Sequence, residues 1–137
     1  MPPFPVITEL DAERIRKLGQ RLPDRGRGLT ALDALLDIAD AAEIVPGERV
    51  PADVVTVNSI VSFRERDSGM VHRVTLVYPP EFSIADRRIS VLSPVGRALL
   101  GRRVGDWIAL DMPDGHVREI ELLALHYQPE AAGHFTV

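Results

Sequence analysis

The chain has no cysteine, which excludes disulfides, thiolate metal sites and a thiol nucleophile, and leaves the redox compartment unmarked. It also lacks a surplus of positive charge. Sixteen Lys and Arg stand against twenty Asp and Glu, a formal charge of -4, so a uniformly basic surface for nonspecific nucleic-acid binding is excluded and any polyanion contact must be local. No apolar run approaches the roughly 20 residues that a membrane helix needs, and MPPFPVITEL has no basic segment followed by an apolar one. The expectation is a cytosolic protein. His72, His116, His126 and His134 include no pair at the i, i+4 spacing that sets two imidazoles on one helical face. The glycines of GRGL and SPVGRALLG miss the GxxxxGK[ST] spacing of a phosphate loop, and Ser59 and Ser93 have neither an evident base nor a GxSxG setting. No catalytic, cofactor or metal residue is therefore assigned, and the chain reads as a protein that is not an enzyme.

What is present suits one compact domain with a small appendage: 137 residues, 45% apolar, are enough to bury a real core. The pattern changes near Pro46 and gives two segments, 1–48 and 49–137. In the first, Thr8 can cap a helix with Glu9 and Asp11 in its first turn, after which Leu10, Ile15, Leu18 and Leu22 recur at helical spacing. A second helical pattern, LTALDALLDIADAAEIV, sets Leu29, Leu32, Leu35, Leu36, Ala39 and Ala42 on one stripe, with Asp33, Asp37 and Asp40 on another that reads most plainly as a solvated face. A basic helix followed by an acidic one across LPDRGRG favours an antiparallel helical hairpin. Each helix would span about 21 Å.

Downstream of Pro51 the period becomes two. VVTVNSIVSF puts Val55, Val57, Val61 and Phe63 on one face, interrupted by Ser59, and Thr56, Asn58 and Ser62 on the other. VHRVTLVY returns as the second arm of a hairpin bent at RDSG and is ended by Pro79 and Pro80. ISVLS runs into Ser93 and Pro94, an N-cap followed by proline at the first helical position, and a short helix stops near Gly101. GDWIAL, the turn PDGH and VREIELLALHY complete the set, with a bulge expected at Leu122 and Leu123. Four or five strands around one short helix make an α+β domain.

The stretch ISVLSPVGRALLGRRVGDWIAL, residues 89–110, resembles the C-terminal domain of the bacterial Gre transcript-cleavage factors: a strand ending at Ser-Pro, a short helix with A-x-x-L-G-like residues, and a V-G-D turn. TELDAERIRKL, PADVVTVNS and HYQPEAAGHF are similar to the Rnk branch, named as regulators of nucleoside diphosphate kinase. The resemblance implies a short N-terminal coiled-coil hairpin followed by an FKBP-like C-terminal sheet domain with one short helix. It further implies binding to RNA polymerase at the rim of the secondary channel, with Leu92, Ser93 and Pro94 matching the loop that meets a coiled-coil element of the beta-prime subunit. Capping alone also explains Ser93 and Pro94, so both readings stand.

In Gre factors, acidic side chains at the coiled-coil tip help hold a catalytic Mg²⁺, and such a hard cation needs carboxylates arriving together. Here the tip LPDRGRG offers Asp24 beside Arg25 and Arg27. The resemblance thus implies a monomeric regulator that competes with Gre factors without stimulating cleavage, touches nucleic acid or DNA only through polymerase, and affects nucleoside diphosphate kinase levels. Direct action on that kinase is the first alternative. Peptidyl-prolyl isomerisation is the second, weakened because only seven aromatics, Phe4, Phe63, Tyr78, Phe82, Trp107, Tyr127 and Phe135, must also serve the core.

Overall fold

Thr8 ends a three-residue strand, β1 (Val6–Thr8), and its Oγ1 accepts the Asp11 N–H at 3.1 Å, closing the N-terminus of α1 (Glu9–Arg21). A computed structural model of the chain describes residues 5–21, 31–112 and 114–135. On α1, Ala12 and Ile15 are fully buried and Leu18 packs against the same core. On α2 (Ala31–Ala41), Leu32, Leu35 and Ala39 are buried while Asp37 and Asp40 face solvent and Asp33 is half-buried. Where they are described, the helical stripes read from the sequence are therefore the packed faces, Leu22 and Leu29 lying outside the described residues, and α1 and α2 lie against each other.

Two elements depart from the sequence reading. β1 pairs in parallel with β2 (Glu43–Val45), in register Val6↔Glu43 to Thr8↔Val45, so a strand pair brackets the helical segment at its base. Three residues are too few to display a period of two. β1 is also fastened to the rest of the chain, because the Val6 N–H donates to Gly101 O at 3.1 Å. Gly101 has φ +78, and an added Cβ would lie 2.6 Å from Pro5 Cβ and 2.9 Å from Val6 N, so only glycine fits there.

The second departure concerns VVTVNSIVSF. The expected strand begins only at β3 (Ile60–Glu65). Residues 56–59 instead form a turn, with the Ser59 N–H on Thr56 O at 3.1 Å, the Thr56 N–H on Ser59 Oγ at 3.0 Å, and Asn58 at φ +73. Asparagine tolerates that left-handed conformation. Ser59, the apparent interruption in the apolar face, is the residue that closes the turn.

The remaining strands are β4 (Val71–Val77), β5 (Arg88–Ser90), β6 (Trp107–Asp111) and β7 (Val117–Tyr127), with α3 (Pro94–Leu99) between β5 and β6. They form one sheet in the order β5-β4-β3-β7-β6, antiparallel except for β4 and β5, which run parallel. The expected bulge is present: Ser62↔Ala124 is followed by Phe63↔Leu122, leaving Leu123 out of register, and a second shift leaves out His126.

One face of the sheet carries Val61, Phe63, Leu76, Ile108, Ile120 and Leu122, all buried in a cluster that also takes Ile7, Ile15, Leu35 and Leu99. Burying each such side chain contributes about 1.5–3 kcal/mol. The helices and α3 thus cover one face, while Ser62, Arg64, Val71, Arg73, Glu119, Glu121 and Trp107 alternate onto the other. The class is α+β, as expected. Among the described residues no helix is long and apolar enough to cross a membrane.

Candidate functional site

The loop Leu92–Ser93–Pro94 joins β5 to α3 and is held by its own neighbours. Ser93 Oγ accepts the Gly96 N–H at 3.0 Å as N-cap and donates to Ser90 O at 2.7 Å, while the Leu92 N–H donates to Ser90 Oγ at 3.0 Å. The Arg97 guanidinium donates to Leu92 O, and burial pulls Arg97 below its usual pKa. Pro94 takes the first helical position, where its missing N–H costs nothing. Gly96 permits the whole arrangement, because a Cβ there would sit 2.0 Å from Ser90 O. The cap read from the sequence is thus observed.

Leu92, Ser93 and Pro94 are all half-buried, and Leu92 packs partly against the core. The Ser93 hydroxyl already donates and accepts within the chain. What the loop offers outward is therefore the exposed part of the Pro94 ring and of the Leu92 side chain. Beside it runs an open groove of about 530 Å³ between α3, α2 and β6, with Pro94, Arg97, Ile38, Asp37 and Ile108 in its lining.

A second constellation was not found from the sequence. Asp11, read there only as a first-turn acid, is 4% exposed, accepts the Tyr78 hydroxyl at 2.7 Å and the Val57 N–H at 3.2 Å. It ties α1 to the turn before β3 and to the end of β4. Burial pushes the Asp11 carboxyl above its ordinary pKa and the Tyr78 hydroxyl far above its own. The Arg14 guanidinium lies 5.9 Å over the Tyr78 ring. Nearby, Thr56 Oγ1 donates to Glu130 Oε1 at 2.7 Å, and Gln128 Nε2 donates to Pro51 O and Val54 O, so the segment after β7 holds the connection between the helices and the sheet. Asp11 follows its cap Thr8 by three residues and was legible as a first-turn acid; nothing local indicates Tyr78.

The tip residues Asp24, Arg25 and Arg27 lie outside the described residues. The four histidines occupy four different places: His72 stacks on Phe63 with ring centroids 5.2 Å apart, His116 meets Asp114 at 2.9 Å, His126 meets Ser62 at 2.7 Å, and His134 meets Tyr127 at 2.6 Å. Among the described residues no three His, Asp or Glu gather as a metal site. The described aromatics are divided too, Phe63 in the core, Tyr78 at the helix junction, Phe82 and Trp107 exposed.

Residues 50–127 match the family described as transcription elongation factor GreA/GreB, C-terminal. The chain is 45% identical to the regulator of nucleoside diphosphate kinase of Escherichia coli K12 over 97% of its own length and 96% of that protein's. It is 37% identical to a Thermus thermophilus protein named transcription inhibitor protein Gfh1, over 75% of this chain and 65% of the other. Among solved structures, a prokaryotic transcription elongation factor GreA/GreB from Nitrosomonas europaea superposes with a TM-score of 0.71 at 38% identity, covering 91% of this chain and 99% of that one. A match across the whole sheet segment, and a relative similar from end to end, place the chain in the GreA/GreB family of transcription factors, on the branch of the regulators of nucleoside diphosphate kinase.

Proposed function

We propose that the chain is an RNA polymerase-binding regulator that docks as a monomer at the rim of the secondary channel through Leu92, Ser93 and Pro94, and that it competes with Gre factors without stimulating transcript cleavage. The observation that carries this reading is the Ser93-capped, hydrogen-bonded loop, which presents Pro94 at the junction of β5 and α3 within the segment that matches the family. Residues 49–137 act as the docking domain, FKBP-like in outline, and residues 1–48 as a short coiled-coil hairpin directed into the channel. The described helices are short, 13 residues in α1 and 11 in α2, about 20 Å and about 16 Å of helix. A hairpin of that length stops short of the catalytic centre, and a tip with Asp24 between arginines holds a cation poorly.

Two assays test this. Added to a backtracked elongation complex with Mg²⁺, the protein is expected to leave the transcript uncut while reducing cleavage by an added Gre factor; transcript shortening by the protein alone overturns the reading. For docking, Pro94→Ala is the informative variant. Leu92→Asp would place a charge against the core, and its loss of binding would report folding. The name of the Escherichia coli relative favours a second reading, direct action on nucleoside diphosphate kinase. The effect is assigned to transcription because the docking segment is what the family shares, and recovery of the kinase without polymerase in a pull-down would reverse that order.

A further inference from the structure

The outer face of the sheet is divided electrostatically. Across β3 and β7 the arginines are matched: Arg64 lies 2.6 Å from Glu121, and Arg66 pairs with Glu119. Across β4 and β5 they are not. Arg73, Arg87 and Arg88 are exposed, and among the described residues none of their side chains has an ion pair or hydrogen bond. Arg73 and Arg87 line one open groove of about 360 Å³ with Ile60, Val74, Thr75 and Asp86. Asp86 is the only carboxylate of that lining, and it accepts from Ser83 Oγ at 3.3 Å. The groove is left with a net positive charge on a chain whose formal charge is -4.

Arg87 is also held at a conformational cost. It sits at φ +54, where a glycine would incur no penalty. The hairpin that imposes this is firmly closed, with the Arg87 N–H on Ile84 O at 3.1 Å and the Arg88 N–H on Ser83 O at 2.8 Å. The Thr75 N–H donates to Arg87 O at 3.0 Å, which sets Arg87 beside Thr75. Arg73 lies two residues back along β4, about 7 Å away, and its register partner Ser62 bonds His126 at 2.7 Å. A strained arginine, a second unpaired arginine and a threonine hydroxyl therefore converge on one groove.

We propose that this groove binds the phosphates of a single-stranded nucleic acid, with Arg73 and Arg87 taking successive phosphates and the Thr75 hydroxyl donating from the floor. Two guanidinium groups spaced along an open strand suit an extended phosphodiester backbone better than a single compact anion. Beside the hairpin Phe82 is 52% exposed, an aromatic ring of the kind on which bases stack. The site lies on the uncovered face of the sheet, and its test does not depend on polymerase binding.

Fluorescence anisotropy of a labelled oligouridine of about 12 nucleotides, a length within ordinary single-strand site sizes, is titrated with the full chain. The series runs between about 50 and 200 mM salt. Binding is expected to weaken with salt. Arg73→Ala combined with Arg87→Gly is expected to weaken it about tenfold and to reduce the slope of log affinity against log salt by about 1.4, roughly 0.7 for each phosphate that is no longer neutralised. Arg87→Gly alone is expected to raise the thermal midpoint while lowering affinity, a pair of changes that unfolding cannot produce. Wild-type chain that fails to bind the oligonucleotide, or a double variant that binds as wild type, overturns the proposal. Full displacement by inorganic triphosphate at equal phosphate concentration overturns the assignment to a strand in favour of free polyphosphate.

Discussion

The loop before α3 and the junction under α1 are both small hydrogen-bonded polar arrangements, yet they are built differently. In the loop, Ser90, Leu92, Ser93, Gly96 and Arg97 supply one another's partners within eight consecutive residues. In the junction, Asp11 finds Val57 and Tyr78, 46 and 67 residues away. The loop keeps its shape wherever α3 packs on β5. The junction exists only when helix, turn and strand have all assembled, so it reports tertiary structure and fixes where the helical segment points. The proposed docking loop benefits from the first kind of construction; setting the direction of the helical segment requires the second.

Gly96→Ala should break the loop most severely. The new Cβ would meet the Ser90 carbonyl at 2.0 Å, so α3 must move off β5, at about 3 kcal/mol or more for an overpacked backbone contact. Urea unfolding would measure it. A loss below about 1 kcal/mol would show that the loop is less locally determined than its hydrogen bonds imply.

Asp11→Ala comes next. It strands the buried Tyr78 hydroxyl and Val57 N–H together, each worth about 1–3 kcal/mol when left unpaired, and a total near 3 kcal/mol is expected. Tyr78→Phe in the same background should add little, since the two act as one unit. Additive losses in that cycle would separate Asp11 from Tyr78 and weaken the case for a single junction.

The same contrast decides what could be read from the sequence. The α3 cap, the hairpin at RDSG and the bulge near Leu123 are local in sequence, and each leaves a pattern a few residues long. β1 and β2 are three residues each and pair across two helices, so neither has a pattern to read. Val54 to Ser59 alternates like a strand and becomes a turn because Asn58 accepts φ +73 and Ser59 finds Thr56. At the candidate site, Ser93 and Pro94 were legible as a cap and Leu92 only as an apolar residue; that it leans on the core depends on the sheet. Asp11 was legible as a first-turn acid and no further.

Ser93→Ala removes the cap and the bond to Ser90 O, a loss of about 1 kcal/mol. Asp11 also predicts a smaller, pH-dependent effect of definite sign. Its carboxyl is raised above the ordinary value chiefly by burial, so the folded chain holds that proton at pH values where the unfolded chain has released it. Within that window Asp11 contributes more stability as pH falls and less as pH rises. Asp11→Asn carries no such proton, so the stability of the wild type relative to this variant should increase as pH is lowered from neutrality toward the ordinary carboxyl range. A constant difference across that range, followed by urea unfolding at several pH values, would remove the titration from the junction.

Pro94→Ala should have the smallest effect on folding and sharpen the comparison most. The proline ring occupies a first-turn position where alanine is an acceptable helix former, and the Ser93 cap is untouched, so stability should change by no more than about 0.5 kcal/mol. On the proposed docking through the exposed ring, polymerase binding should weaken several-fold in the same variant, whereas Asp11→Asn should leave the Ser93-capped loop intact and alter only how the helical segment is directed. Competition with a Gre factor then divides the two regions. The Pro94 variant should lose competition through weaker binding, and the Asp11 variant should bind and compete less well for its occupancy. Equal behaviour of the two variants would mean that docking and direction are not separable, and that the loop and the junction act as one surface.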